Sequence, residues 1–342
     1  MKAAYVKAPA QVEFREVPIP ELGPLDVLVK IAACGVCGTD VHFAFHLATD
    51  WQAMGHELSG VVAQVGPAVT RVRPGDRVTV ECDAPCGQCA DCRRGYTIRC
   101  KFGAGFYAKK PGYAEYITVP ELIVVPIGDL DLKAGALIEP FTVALGAVDK
   151  VRPTVDDTVL VIGPGTIGLM ALATCRMMGA RKTILAGRSH SVARLKLGEA
   201  LGADRVVRID REYLATVVAR EFPGGVDKII NTGHPSAVGQ AVDLINKGGI
   251  ITYIGRDNDE DNTQIAFNAR LFHFKGLELR PFADQASPFF CRAAEYLKRG
   301  VLPVDRFITH IYPLEQVEQA LKTAAYDREN AVKVVVTMDG VS

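Results

Sequence analysis

The stretch from Thr158 to Gly168 leaves the chain few folds to choose from. A β-branched run, Thr158 to Ile162, meets Gly163-Pro164-Gly165-Thr166-Ile167-Gly168, and a helical stretch from Ile167 to Met178 follows, stopping at Gly179. Glycines at this spacing between a strand and a helix permit a sharp turn and close backbone approach. They leave a helix N-terminus on which a pyrophosphate can sit. The surrounding text repeats the alternation of strand and helix that builds a parallel sheet. Further strands are predicted at Lys182–Ala186, Lys228–Asn231 and Ile250–Ile254, with a helix from Ser236 to Asn246 and the sheet ending near Leu279. An amphipathic helix is expected from Phe289 to Lys298, and a closing strand, Ala331 to Thr337, that returns to the first domain.

Before about Val125 the pattern differs. Short β-prone runs such as Val27 to Ile31 and Arg77 to Val80 are broken by turns like Arg73-Pro74-Gly75-Asp76. A chain of 342 residues exceeds what one core usually supports, so we expect a mostly-β domain over 1–150, a dinucleotide-binding domain over 151–282, and a segment 283–342 completing the first. Lys+Arg and Asp+Glu balance at 39 each, so no basic field draws the chain to nucleic acid or anionic lipid. Met1 to Val17 lacks the long apolar stretch of a signal peptide or membrane span, and a cytoplasmic location is expected.

Five of the nine cysteines crowd into 82–100. Cys86, Cys89, Cys92 and Cys100 supply four thiols within fifteen residues. Four thiolates saturate tetrahedral zinc and leave no open position, so this is expected to be a structural site that staples a loop. The alternatives are incidentally close free cysteines, or a nucleic-acid-binding zinc ribbon, which the neutral charge balance disfavours.

A second ligand set is chemically different. Cys37, in Gly35-Val-Cys37-Gly-Thr39-Asp40-Val-His42, and His56-Glu57, in Gly55-His56-Glu57, offer a thiolate, an imidazole and a carboxylate. Three such ligands leave room on zinc for water or a substrate oxygen, the mark of a catalytic site. Glu139, in Ile138-Glu139-Pro140, is expected to add a group, either on the metal or through its water. Asp40 can accept the spare imidazole proton of His56, and Thr39 followed by His42 can carry a proton outward.

An NAD-binding domain usually presents an acidic residue at the end of its second strand. Here that slot reads Gly187-Arg188-Ser189. A missing carboxylate removes repulsion toward a 2′-phosphate, which Arg188 can pair and Ser189 can hydrogen-bond, so NADP is favoured with NAD as the alternative. The candidate cofactor contacts are Thr142, Gly163, Gly165, Thr166, Ile167, Gly187, Arg188, Ser189, Arg194, Thr232, Gly233, Ile254 and Gly255. Phe45, Trp51, Phe106 and Arg280 are candidates for the substrate pocket.

Together these motifs, with Pro74-Gly-Asp-Arg-Val78 and Gly112-Tyr-Ala-Glu-Tyr116, resemble the zinc-containing medium-chain dehydrogenase/reductase superfamily, in its sorbitol, threonine and sugar-alcohol dehydrogenase branch. The resemblance implies an α/β protein: a GroES-like mostly-β catalytic domain and a Rossmann doubly wound parallel sheet. It further implies two zinc ions per chain, a nicotinamide cofactor, a polyol or sugar-derived substrate, and a homodimer or homotetramer. The Glu-Pro at 139–140 is similar to the polyol branch, where classical alcohol dehydrogenases carry a cysteine. Rival expectations are a threonine-type or other NAD-linked alcohol dehydrogenase, a zinc-free quinone reductase, and a non-catalytic NADP(H)-binding sensor.

Overall fold

A computed structural model of the chain describes residues 1–105, 111–254, 264–282 and 287–338. Phe106 and Gly255 lie outside the described residues. The chain divides into two compact units, Met1–Thr142 with Asp284–Asp327 and Lys333–Ser342, and Val143–Ala283 with Arg328–Val332. Two boundaries differ from expectation. The first falls inside the helix Ile138–Val151, a continuous element that starts in one unit and ends in the other. The second arises because carbonyls of the tail bond to the second unit: Glu329 O accepts from Ala193 N (2.8 Å), Ala331 O from Arg194 Nε (2.8 Å) and Val332 O from Thr166 Oγ1 (2.9 Å).

Among the described residues the first unit is built on a seven-stranded sheet whose central member is Asp26–Gly35. Its Val27, Val29, Ile31 and Ala33 are fully buried, as expected of a strand covered by neighbours. On one side it pairs antiparallel with Glu57–Val65 in the register Gly35 opposite Glu57. On the other it pairs antiparallel with Lys333–Thr337, Gly35 opposite Val335. The closing strand thus lands in the first unit, and three distant parts of the sequence meet at the end of one strand.

The second unit carries a six-stranded, all-parallel sheet in the order Arg205–Arg208, Lys182–Gly187, Thr158–Ile162, Val226–Asn231, Ile245–Tyr253, Glu278–Pro281. The order reverses direction at Thr158–Ile162, and ligands of open parallel sheets bind beside the carboxyl end at such a point. Val159, Leu160 and Val161 are each fully buried, which is why this strand reads as an unbroken apolar run. Burying each contributes roughly 1.5–3 kcal/mol. Leu160, Ile184, Val207, Ile229 and Ile251 form the core with Leu214, Val217 and Val218. Among the described residues no helix is long and apolar enough to cross a membrane.

Candidate active site

The register of Gly35 against Glu57 decides where the metal-binding chemistry converges. Two residues beyond Gly35, Cys37 caps the short helix Gly38–His42. His56 immediately precedes the strand that begins at Glu57. One ligand atom from each of Cys37, His56 and Glu57 lies within 4.8 Å of the other two. Zinc bonds of about 2.0–2.3 Å put tetrahedral ligands about 3.3–3.8 Å apart, so a small contraction closes the cluster on an ion. Soft thiolate, borderline imidazole and hard carboxylate together suit zinc and leave one position open.

His56 is buried and points Nδ1 at Asp40 Oδ1 (3.4 Å), which directs Nε2 to the metal position. Burial works against a charge on this ring, yet Asp40 and Cys37 outweigh it and raise its pKa well above the usual imidazole range. His56 can be presented this way because Gly55 adopts φ +89°, in the left-handed region that favours glycine, and a Cβ there would sit 3.0 Å from Tyr113 N and Cys34 Sγ.

Lys333, read from sequence only as part of a strand, is a buried member of this site. Its Nζ pairs with Glu57 Oε2 and donates to Val36 O (3.0 Å), so the closing strand holds the Glu57 carboxylate from behind. A Cβ at Gly35 would overlap Glu57 Oε2 and come within 2.8 Å of Lys333 Cε, so only glycine leaves room for the pair. In the zinc-free protein, Lys333→Met is expected to lower stability by about 3–5 kcal/mol, because it leaves the buried Glu57 carboxylate without a cation. Urea denaturation tests this; a midpoint equal to the parent's would refute it.

Glu139 is not among the three clustered donors. Its Oε1 accepts from Cys82 Sγ (3.8 Å), and burial pushes its carboxyl up to about 7, with Glu57 adding to the rise and His56 and Lys333 opposing it. Cys82, which belongs to neither ligand set, is the residue in contact with Glu139. Thr39 is half-buried beside Cys37, and the His42 ring packs against His46 (centroids 5.3 Å apart).

Three of the pocket candidates lie within the described residues. Phe45 stacks edge-on against Tyr326 (5.3 Å), Trp51 lies under the Arg15 guanidinium (5.8 Å), and Arg280 donates to Lys150 O (2.9 Å) and Glu278 Oε2 (2.8 Å).

The four-cysteine lobe folds into a compact cluster. Sγ of Cys86 lies 3.9 Å from that of Cys92, and Sγ of Cys89 lies 3.9 Å from that of Cys100. Disulfide sulfurs stand about 2.05 Å apart. Thiolates at about 2.3 Å from one tetrahedral zinc stand about 3.8 Å apart, the spacing seen here. Backbone N–H groups of Gln88 and Cys89 lower the pKa of the Cys86 thiol, while desolvation raises that of Cys92.

In the second unit, Gly163 follows the central strand at φ +99°, and a Cβ there would press 2.8 Å from Thr232 Oγ1 and 2.9 Å from Gly233 N. Gly165 caps the helix Thr166–Met177 with no side-chain bond to its first N–H groups, and the space beside Gly165 is open. Those free donors are what a pyrophosphate requires.

Several other cofactor candidates have structural engagements. Thr142 is fully buried, its hydroxyl donating to Glu139 O (2.6 Å). Thr166 and Arg194 bond to the 328–332 segment, and Thr232 Oγ1 donates to Gly163 O (2.9 Å), bracing the turn. Gly233 N and Ile254 N both bond to Asn231, a fully buried residue that sequence reasoning missed.

At the ribose slot, a Cβ on Gly187 would sit 2.5 Å from Pro164 Cγ, so the glycine turn itself excludes an acidic side chain there. Arg188 is exposed. Asp210, another residue the sequence did not single out, accepts from Ser189 N (2.8 Å) and Ser189 Oγ (3.0 Å).

Comparison with known proteins agrees with this geometry. The profile of the alcohol dehydrogenase GroES-like domain matches residues 23–129, and that of the zinc-binding dehydrogenase domain matches 166–288. D-arabinitol dehydrogenase 1 of Uromyces fabae is 31% identical over 336 residues, covering 95% of this chain and 94% of that protein. An alcohol dehydrogenase from E. coli CFT073, solved with NADH, superposes with a TM-score of 0.90 at 28% identity, covering 98% of this chain and 99% of the other. A zinc-binding dehydrogenase of Sinorhizobium meliloti 1021, solved with NADP, gives 0.86 at 29% identity with 98% of each chain covered.

The chain therefore belongs to the zinc-containing medium-chain dehydrogenase/reductase family, with a GroES-like unit and a Rossmann unit. It is an NAD(P)-dependent alcohol dehydrogenase whose cofactors are zinc and a nicotinamide dinucleotide.

Proposed function

We propose that the enzyme reversibly oxidises a secondary alcohol of a polyol, sugar alcohol or sugar derivative to the ketone, with NADP as the favoured acceptor. The observation that carries the proposal is the convergence of Cys37, His56 and Glu57 donors within 4.8 Å. Glu139-Pro140 and the similarity to D-arabinitol dehydrogenase 1 support the substrate class.

Zinc, when bound, supplies Lewis acidity toward the substrate hydroxyl, and the nicotinamide accepts the hydride. Cys37, His56 and Glu57 hold the metal, and Asp40 fixes the imidazole. Thr39 would accept the substrate's hydroxyl proton as it gives up its own, and His42 would carry the released proton outward. Glu139, whose carboxyl burial raises to about 7, would hold or release a proton near neutrality beside the three donors. Cys86, Cys89, Cys92 and Cys100 hold a second, structural zinc. Soluble cytoplasmic action and a homodimer or homotetramer complete the proposal. A panel of polyols, sugar acids and threonine, followed at the reduced-nicotinamide absorbance band with both cofactors, tests it. Turnover of threonine alone, or of no alcohol, would overturn it.

Arg188 and the absent carboxylate at Gly187 support NADP. Asp210, holding Ser189 through two hydrogen bonds, supports a second reading in which NAD is used, since its charge opposes a 2′-phosphate. Arg188→Ala is expected to weaken NADP(H) binding about 10-fold with little effect on NAD(H), the loss of one charge-assisted contact of about 1.5 kcal/mol. Asp210→Asn is expected to shift the ratio toward NADP(H). Dissociation constants from nicotinamide fluorescence check both; an Arg188→Ala variant that binds NADPH like the parent favours the NAD reading.

A further inference from the structure

The buried carboxylate of Asp40 joins three chain segments. Oδ2 accepts from Cys37 N (3.0 Å) and from the Tyr113 hydroxyl (2.9 Å), while Oδ1 accepts from Gly55 N (3.4 Å) and faces His56 Nδ1 (3.4 Å). Tyr113 is fully buried, and its own position is set by the backbone: Tyr113 N donates to Met54 O (3.1 Å), just before Gly55-His56. Its hydroxyl has one proton and two acceptors in range, Asp40 Oδ2 and, farther away, Gly35 O (3.4 Å). The shorter bond, to a charged acceptor, is the stronger one. Burial pushes the phenol's pKa well up, with Asp40 adding to the rise, so the hydroxyl remains a donor.

We propose that Tyr113 is a positioning residue of the metal site: its hydroxyl fixes the orientation of Asp40, and through Asp40 it sets both His56 and the Cys37 loop for the ion. This rests on the assignment of Cys37 and His56 as zinc ligands. The Asp40 carboxylate stands between the Tyr113 hydroxyl and those two ligands, so it transmits what the phenol does. With the phenol in place, Asp40 cannot rotate away from His56 without giving up a charge-assisted bond. Without it, Oδ2 keeps a single donor, the Cys37 N–H. Partners one bond removed from a metal ligand typically account for about 10- to 100-fold in affinity.

The test uses the full-length zinc enzyme and Tyr113→Phe, which removes one oxygen and keeps the ring. Competition with a chromophoric chelator is expected to show one zinc held about 10-fold or more less tightly and the four-cysteine zinc unchanged. In cobalt-substituted protein, the thiolate charge-transfer band of the Cys37 site is expected to shift. A lowered melting temperature with unchanged zinc affinity and cobalt spectrum would mean a packing role only, and overturns the proposal.

Asp40→Asn provides a second route that holds even if Tyr113→Phe folds poorly. It is expected to loosen the same zinc, and adding Tyr113→Phe to it should change affinity further by less than about 2-fold. Full multiplication of the two effects overturns the proposal, as does an Asp40→Asn protein with parental zinc affinity. A Cys37→Ser protein that keeps all of the parent's zinc removes the metal-site assignment and this proposal together. A parent with two zincs and an unaffected Tyr113→Phe removes this proposal alone.

Discussion

Cys37→Ser is expected to lower kcat by on the order of 10³-fold or more while leaving the fold in place. The thiolate is one of three donors that could hold an ion at the strand end where Gly35 faces Glu57. Its loss removes Lewis acid assistance worth several kcal/mol, and each 1.36 kcal/mol is tenfold in rate. Cys37 is half-buried, and serine preserves the cap of the short helix Gly38–His42. Circular dichroism should match the parent, and zinc content should fall from two per chain to one. Parental turnover in this variant would refute the catalytic assignment of the cluster.

Cys89→Ser is expected to act on stability. The four-thiol lobe encloses only short secondary elements, Ala90–Arg93 and Thr97–Arg99, with no buried residue in either, so an apolar core does not hold it. Metal binding there is folding free energy. Losing one of four thiolates is expected to cost about 4 kcal/mol, the range of metal-site losses, or a fall in melting temperature on the order of 10 °C. Calorimetry with and without added zinc checks this. A Cys89→Ser protein that melts with the parent would show that the lobe needs no ion.

These two variants separate features of unequal legibility. The lobe ligands lie within fifteen residues, so spacing alone brings them together. The strand Thr158–Ile162 coincides with its expected range because a central parallel strand buried on both faces is an unbroken apolar run. Edges were harder. The strand expected to begin at Ile250 begins at Ile245, where pairing with Val226 recruits residues whose polarity suggested a helix end.

The partners missed in the sequence are those brought in from far away. Lys333 reaches Val36 across 297 positions, Tyr113 reaches Asp40 across 73, and Asp210 reaches Ser189 across 21. A lysine in a β-prone run reads as a solvated edge until its neighbour is known to be a buried carboxylate. A tyrosine before a strand likewise reads as packing.

By itself the sequence determined the chemistry available: two thiol-containing ligand sets, a glycine turn between strand and helix, and a ribose slot without an acid. Those rest on residue type and short spacing, which local geometry is enough to interpret. Only the tertiary structure decided which further groups stand behind them, namely Lys333 beneath Glu57, Tyr113 behind Asp40, and Asp210 beside Ser189. The reason is physical: a buried charge must find its counter-charge or donor wherever the sheet register places one, and register pairs residues that the chain order keeps apart.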